Sequence, residues 1–116
     1  VNKKPLIIVH GEPYGVFLEI FFRVFNKSFY KKYKRPIILI GSKNLISMQM
    51  KKMNYHHKIN LIKKNQLKNI KLNNKKINLI DTKLNFKKPF GKITNKSSKY
   101  IKDCFKIALD IMKTKI

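Results

Sequence analysis

Apolar residues along this chain occur in short uninterrupted runs and in longer stretches with regular spacing, and the two kinds of pattern alternate. The first run is Leu6–Val9, and a run of this length is typical of a buried strand. The stretch after it has apolar residues at the spacing of one helix face: Val16, Phe17, Ile20, Phe21, Val24 and Phe25. The opening of the chain therefore predicts a strand followed by an amphipathic helix.

A second strand and helix are predicted in the same order. Pro36 precedes the apolar, β-branched residues 37–40, a pattern that favours a strand buried on both faces. Residues 43 to about 53 then follow the pattern of a helix. Its expected buried face contains Leu45, Ile46, Met50 and Met53, and its expected outer face carries Lys43, Lys51 and Lys52.

The middle of the chain has shorter apolar runs separated by lysine and asparagine. Residues 59–62 and 77–81 predict two more strands, whereas residues 67–72 fit either a strand or a loop. Residues 81–94 carry Pro89 and Gly91 among lysines, which predicts an ordered loop.

The last element is predicted to be a helix with Ser97 or Ser98 as its N-cap. Its apolar stripe is Ile101, Cys104, Phe105, Ala108, Ile111 and Met112. Two pairs at i,i+4 spacing, Lys99 with Asp103 and Lys106 with Asp110, are expected on the solvated side.

This alternation of strands and helices predicts an α/β fold in which helices cover a mostly parallel sheet. The length of 116 residues allows one domain, 1–116. No apolar run approaches the roughly 18 residues of a membrane span. Residues 6–9 are too short for the apolar part of a secretory signal, and no small-residue cleavage site follows them. The single cysteine, Cys104, excludes an internal disulfide and fits a reducing compartment, so we expect a cytoplasmic protein that does not enter the membrane.

The net charge of +23 indicates attraction to polyanions and makes nucleic-acid binding an alternative function. Only two arginines occur and no nucleic-acid-binding motif is present, so a small basic α/β module of this kind would bind without sequence specificity. Residues 30–35, Tyr-Lys-Lys-Tyr-Lys-Arg, are the closest match to basic residues interleaved with aromatic ones. The other interpretation of residues 30–35 is the polar end of the first helix running into a loop.

Residue types that bind metal or act as nucleophiles are few and poorly spaced. His56 and His57 are adjacent without a nearby carboxylate or cysteine, so we expect them in a solvent-exposed loop and predict no metal site. Cys104 falls on the apolar stripe of the last helix, where a buried thiol is unreactive. His10 follows the first strand, and its role is left open. We assign no catalytic residue, and no G-x-G-x-x-G or Walker sequence is present.

The segment between the first strand and helix, Gly11-Glu12-Pro13-Tyr14-Gly15-Val16-Phe17-Leu18-Glu19, holds two of the five carboxylates. Gly11 and Gly15 permit backbone conformations closed to other residues, and Pro13 favours a turn. One interpretation is a well-formed connection in which Glu12 favours the helix N-terminus and Glu19 faces solvent. The other is a turn that faces a ligand, because βα loops of α/β proteins often line sites.

This segment resembles the motif Gly-Asp/Glu-Pro-Ala-Gly-Ile-Gly-Pro-Glu near the start of the 4-hydroxythreonine-4-phosphate dehydrogenase family. The matching residues are Gly11, Glu12, Pro13, Gly15 and Glu19. Tyr14 replaces the usual Ala, and Phe17 and Leu18 replace Gly-Pro. The bulky side chain of Phe17 is expected to fill space that glycine leaves open to a ligand.

The resemblance implies an NAD-dependent oxidoreductase of pyridoxal phosphate biosynthesis. Such an enzyme oxidises the phosphorylated substrate 4-phosphooxy-L-threonine with NAD, and the resulting β-keto acid loses carbon dioxide. A divalent metal held by histidines assists the reaction. It also implies a homodimer with an isocitrate/isopropylmalate-dehydrogenase-like fold of two α/β domains. The chain matches about the opening third of such a subunit, so we expect an N-terminal fragment that is inactive alone and binds neither NAD nor metal. The matching residues are expected to shape a turn that faces the cleft, and none of them is assigned as a firm cofactor-binding residue.

Overall fold

Four parallel strands form the centre of the computed structural model, which describes residues 4–68, 70–88, 90–91 and 95–113. The strands are β1 (Leu6–Val9), β2 (Ile37–Gly41), β3 (Ile59–Leu61) and β4 (Ile77–Asp81). The helices are α1 (Phe17–Val24), α2 (Lys27–Lys32), α3 (Lys43–Lys52) and α4 (Ser98–Lys113). The predicted α/β class and the predicted strands are confirmed, but β1 is half-buried at the edge of the sheet rather than buried as expected.

The strand order in the sheet is β1-β2-β4-β3, and every neighbouring pair is parallel. Ile37 pairs with Leu6 on one side of β2, and Leu39 pairs with Leu79 of β4 on the other. β2 is therefore interior, and each of its five residues is buried. This explains its continuous apolar sequence, because an interior strand of a parallel sheet has helices over both faces.

The two faces of the sheet carry separate cores. Ile37 and Leu39 of β2 pack into one core with side chains from α1 and α3. Ile38 and Ile40 pack into the other core with side chains from α4. The alternation follows from the two-residue repeat of a strand, which sends successive side chains to opposite faces.

The face of α1 that contacts the core differs from the prediction. The buried residues are Leu18, Phe21, Phe22 and Phe25. The predicted core residues Val16, Ile20 and Val24 are instead 67%, 56% and 51% exposed. Phe21 and Phe25 are thus buried as predicted, whereas Leu18 and Phe22 take the place of Val16, Ile20 and Val24. Burying the larger Leu18 and Phe22 side chains removes more apolar surface from water, so the helix turns that face inward.

A separate helix, α2, replaces the predicted polar end of the first helix at residues 30–35. Asn26 has an extended backbone and its side-chain oxygen accepts a hydrogen bond from Phe29 N at 3.0 Å. This is an N-cap, so Asn26 ends the first helical segment and starts the next. Periodicity did not separate the two helices because only two residues lie between them.

The predicted helix over residues 43 to about 53 is confirmed as α3, with Leu45, Ile46 and Met50 buried. Between β3 and β4 the described residues form no further strand, and a short 3₁₀ turn, Lys64–Gln66, precedes the loop. The described part of residues 82–91 is also loop, as predicted. Pro89 and the predicted loop end at Thr94 lie outside the described residues.

Helix α4 begins at Ser98, directly after a 3₁₀ turn that includes Ser97. Cys104, Ala108 and Ile111 are buried as predicted. Phe105 and Met112 are exposed, contrary to prediction, and Tyr100 takes a place in the buried stripe.

The two predicted ion pairs of α4 had different outcomes. The predicted pair between Lys99 and Asp103 forms at 2.8 Å. The Asp110 carboxylate contacts Lys64 at 3.3 Å rather than the predicted Lys106, because the 3₁₀ turn brings Lys64 to the same surface. No helix within the described ranges is long and apolar enough to cross a membrane.

Candidate functional site

The carboxyl ends of three neighbouring strands place buried polar residues at one edge of the sheet. His10 follows β1, Ser42 follows β2 and Thr82 follows β4, and all three are buried. The backbone hydrogen bonds of the sheet continue at two of these residues, since His10 N donates to Ile40 O at 2.9 Å and Thr82 N donates to Gly41 O at 2.8 Å. This carboxyl edge is where open parallel sheets usually bind ligands.

A hydrogen-bond network beneath this edge joins His10, Ser42 and Tyr100. Ser42 N donates to the Tyr100 hydroxyl oxygen at 2.7 Å, and the same hydroxyl lies 2.8 Å from His10 Nδ1. The hydroxyl oxygen accepts from Ser42, and the direction of its hydrogen bond with His10 Nδ1 depends on the imidazole tautomer.

Burial sets the protonation of both rings. It lowers the pKa of His10 to about 4, so the imidazole is neutral at pH 7. Burial also raises the pKa of Tyr100 well above its usual range, and the neighbouring Cys104 adds to that shift. The pair therefore works as a neutral structural support, and neither ring is an acid or base near neutrality.

Gly41 makes the close packing of this network possible. A Cβ at Gly41 would lie 2.9 Å from the Tyr100 hydroxyl oxygen and 2.9 Å from Ile46 Cδ1. It would also lie 3.0 Å from His10 Cβ. These separations are shorter than normal contacts. Only a glycine at position 41 therefore leaves room for the Tyr100 side chain of α4 at the strand ends.

The predicted turn over residues 11–15 follows His10 directly in the chain, and we name this turn the elbow. Gly11 has φ +74°, a left-handed conformation that favours glycine. Gly15 N donates to Glu12 O at 3.2 Å and closes the turn. Gly15 itself lies outside the left-handed region, so the expectation of special backbone freedom is wrong for that residue.

Side chains from two other elements hold the elbow in place. Pro13 is buried, and its carbonyl oxygen accepts a hydrogen bond from Gln49 Nε2 of α3 at 2.9 Å. The Tyr14 ring packs against Gly91, where an added Cβ would lie 3.3 Å from Tyr14 Cζ. The elbow is therefore held by a hydrogen bond from α3 and by the packing of Tyr14 against Gly91.

The two carboxylates of the motif have different surroundings. Glu12 is half-buried, and its Oε1 accepts a hydrogen bond from Tyr14 N at 3.3 Å within the elbow. Glu19 is exposed on α1 and pairs with Arg23 at 3.4 Å. Only Glu12 lies at the elbow, while Glu19 has the geometry of a solvated i,i+4 pair.

Phe17, the first residue of α1, lies near the network. Its ring centroid is 6.3 Å from that of His10. On the outer rim, the Asp81 carboxylate accepts a hydrogen bond from Lys43 N at 2.9 Å, which satisfies one free N–H at the start of α3.

The other candidate side chains lie apart from the elbow. His56 is exposed, but His57 is half-buried and donates from Nε2 to Phe22 O at 3.1 Å, so the predicted exposed loop is wrong for His57. The His57 ring stacks on Tyr55 with centroids 5.7 Å apart. Burial raises the pKa of the Cys104 thiol, which keeps it protonated within the core, as predicted.

Sequence reasoning missed Ser42, Gln49 and Tyr100 as parts of this edge. Tyr100 was detectable, because it lies four residues before Cys104 and eight before Ala108, on the same helix face. Gln49 gave no signal, because an amide on a helix rich in polar residues resembles a solvated side chain. Within the described ranges no three His, Cys, Asp or Glu residues lie close enough to hold a metal ion.

No protein-family model matches the sequence, and no curated protein is significantly similar to it.

Proposed function

We propose that this chain is the amino-terminal part of a longer, two-domain, NAD-dependent dehydrogenase of the 4-hydroxythreonine-4-phosphate dehydrogenase type. The observation that carries the proposal is the elbow at residues 11–15. It leaves the carboxyl end of β1 in an all-parallel sheet, with Gly11 left-handed and Pro13 buried. The resemblance of its sequence to the family motif supports an isocitrate/isopropylmalate-dehydrogenase-like arrangement, in which this sheet belongs to one wall of a cleft.

The described residues do not fit NAD at the elbow. A pyrophosphate at a turn needs free backbone N–H groups. The Tyr14 N–H donates to the Glu12 carboxylate and the Gly15 N–H donates to the Glu12 carbonyl, so both are occupied. We expect the residues that contact the dinucleotide to belong to other parts of the longer enzyme.

The described residues do not fit a divalent metal either, because they contain no group of three suitable ligands. What this chain would contribute is a rigid wall. His10 and Tyr100 form a neutral, buried support under the elbow. The positive charge of the chain would also favour encounter with a phosphorylated substrate such as 4-phosphooxy-L-threonine.

The proposal is tested with the complete reading frame that contains this chain. The purified product, supplied with a divalent metal and 4-phosphooxy-L-threonine, should reduce NAD, measured by NADH absorbance. A reading frame that ends at Ile116, or a longer product that forms no NADH, would contradict the proposal. The 116-residue chain alone should form none.

Two substitutions at Gly11 separate a role of the elbow from general damage. Gly11→Asn keeps a residue that tolerates positive φ, and space around the Cβ is open, so most activity should remain. Gly11→Val strains the turn and should lower kcat/KM about tenfold or more. Asp103→Asn, in an exposed pair on α4, is the control and should match the parent enzyme. Equal activity of the Val and Asn variants would show that the elbow does not line the cleft.

A further inference from the structure

A groove of about 440 Å³ lies at the amino-terminal edge of the sheet, opposite the elbow. Its walls come from α2 and from the residues that precede β3 and β4. Four of its lining residues are lysines: Lys27, Lys31, Lys58 and Lys75. All four are exposed, so their ammonium groups are available to a ligand.

No Asp or Glu is among the described residues that line this groove, and all five acidic side chains have partners elsewhere. Glu12 and Asp81 accept hydrogen bonds from backbone N–H groups, and the other three form ion pairs. Those pairs are Glu19 with Arg23, Asp103 with Lys99, and Asp110 with Lys64. The positive charge of the groove is therefore not neutralised by the protein, which favours an anionic ligand.

An aromatic ring holds part of this charge in position. The Tyr30 ring lies in the groove wall, with Lys34 Nζ 4.9 Å and Lys75 Nζ 5.6 Å from its centroid. A cation–π contact orients an ammonium group without neutralising it. The exposed imidazole of His56 adds a second planar group to the lining.

The base of the groove is rigid because Asn74 connects three backbone groups. Its Nδ2 donates to Tyr33 O at 3.2 Å and to Arg35 O at 2.8 Å, and its Oδ1 accepts from Ile37 N at 2.9 Å. Asn74 is buried, so these bonds are shielded from water. The groove is thus preformed, which limits the ordering cost of binding.

We propose that this groove binds single-stranded nucleic acid without sequence specificity. Phosphates would contact the lysines, and an unpaired base would lie against Tyr30 or His56, the combination used by single-strand-binding surfaces. Lys32 and Arg35 extend the positive charge beyond the groove, which suits a chain of phosphates better than one small ester. This inference is independent of the proposed dehydrogenase activity, because it concerns the opposite edge of the sheet.

The test measures fluorescence anisotropy of a labelled oligothymidylate of about 12 nucleotides, a length within the usual range of single-strand sites. The groove variant carries Lys27→Gln, Lys31→Gln and Lys75→Gln. It should bind about tenfold more weakly, and the slope of log K against log salt should fall by about 2. The matched control replaces Lys102, Lys106 and Lys113 of α4 with Gln, which removes the same charge, and should lose less than about threefold. Equal losses in both variants would overturn the proposal.

A second comparison tests the aromatic contribution. Tyr30→Leu should weaken binding about fivefold or more and change the salt slope much less than the triple lysine variant does, because all the lysines remain. Phe105→Leu, an exposed aromatic of α4, should have no effect. An unchanged affinity for Tyr30→Leu, or tighter binding to anionic phospholipid vesicles than to the oligonucleotide, would contradict a nucleic-acid site.

Discussion

His10 shows how burial decides the chemistry of a single residue. It is 3% exposed and its Nδ1 lies 2.8 Å from the Tyr100 hydroxyl. A charged imidazolium at this position would lose its hydration, which disfavours the charged form. The folded protein therefore resists protonation of His10, whereas the unfolded chain does not.

This difference predicts a loss of stability in mild acid. Between the usual histidine pKa of about 6.5 and the lowered pKa of about 4, the unfolded state binds a proton that the folded state does not. The free energy of unfolding should therefore decrease as the pH falls through this window, by about 3 kcal/mol in total. Urea unfolding followed by circular dichroism from pH 7 to about pH 4 measures it.

Two histidine variants isolate this effect from the titration of carboxylates. His10→Gln should be less stable at neutral pH but should show a much shallower decrease towards acid. His56→Gln, at an exposed position, should keep the decrease of the parent chain. A His10→Gln variant with the same pH dependence as the parent would contradict the assignment.

At the residue scale the sequence predicted backbone features better than partners. The left-handed Gly11 could be predicted, because glycine after a strand and before proline is typical of a turn. The contacts of Gly41 with Tyr100 and of Pro13 with Gln49 could not, because each joins residues that are distant in the chain. Such contacts depend on how α3 and α4 sit on the sheet.

At the scale of elements, the boundary between α1 and α2 depends on one side chain. Asn26 caps α2 with a hydrogen bond to Phe29 N, and α2 is only six residues long. A helix this short is marginal by itself. It is held by its cap and by Phe29 and Tyr33, which pack against the core formed by α1, α3 and one face of the sheet.

Loss of this cap should be measurable. Asn26→Ala removes the acceptor of the Phe29 N–H and should lower the free energy of unfolding by about 1 kcal/mol. Asn26→Asp retains an acceptor and should preserve most of the stability. Urea denaturation measures both, with Asn85→Ala in the exposed 82–91 loop as the control. An Asn26→Ala variant as stable as the control would show that the cap contributes nothing.

The helices and strands themselves were largely predictable from the sequence, but the buried face of a helix was not always predictable. Runs such as residues 37–40 have one explanation, a strand buried on both sides. Residues 16–25 have two, because almost every position is apolar and more than one set has helical spacing. Periodicity cannot choose between such sets, since the choice depends on which side chains fit the sheet.

At the scale of the whole molecule, charge acts against the compact state. The net charge is +23, and the three ion pairs of the described residues are partly or largely exposed. Exposed pairs contribute little to stability, so most of the repulsion between lysines is uncompensated.

Salt should therefore stabilise the folded chain. Raising sodium chloride from about 0.01 M to about 1 M shortens the Debye length from roughly 30 Å to 3 Å and screens this repulsion. The urea midpoint should rise steadily over that range. A midpoint that stays constant or falls would mean that attraction and repulsion are already balanced. Potassium chloride should give the same result, since the effect depends on ionic strength.

The parallel architecture was predictable from the alternation of strands and helices, but the order β1-β2-β4-β3 was not. Neighbours in this sheet are far apart in the chain: Leu6 pairs with Ile37, and Leu39 with Leu79. No local pattern in the sequence specifies which strand lies beside which.

This strand order also constrains how the chain can assemble as a ribosome makes it. Within the described sheet β3 pairs with β4 alone, so residues 59–61 have no partner there until residues 77–81 have been synthesised. β1 and β2 can join earlier, and β4 must then insert beside β2 and accept β3 on its other side. The nascent sheet is completed from the β1 edge towards the β3 edge, and its last strand to dock is not the last one made.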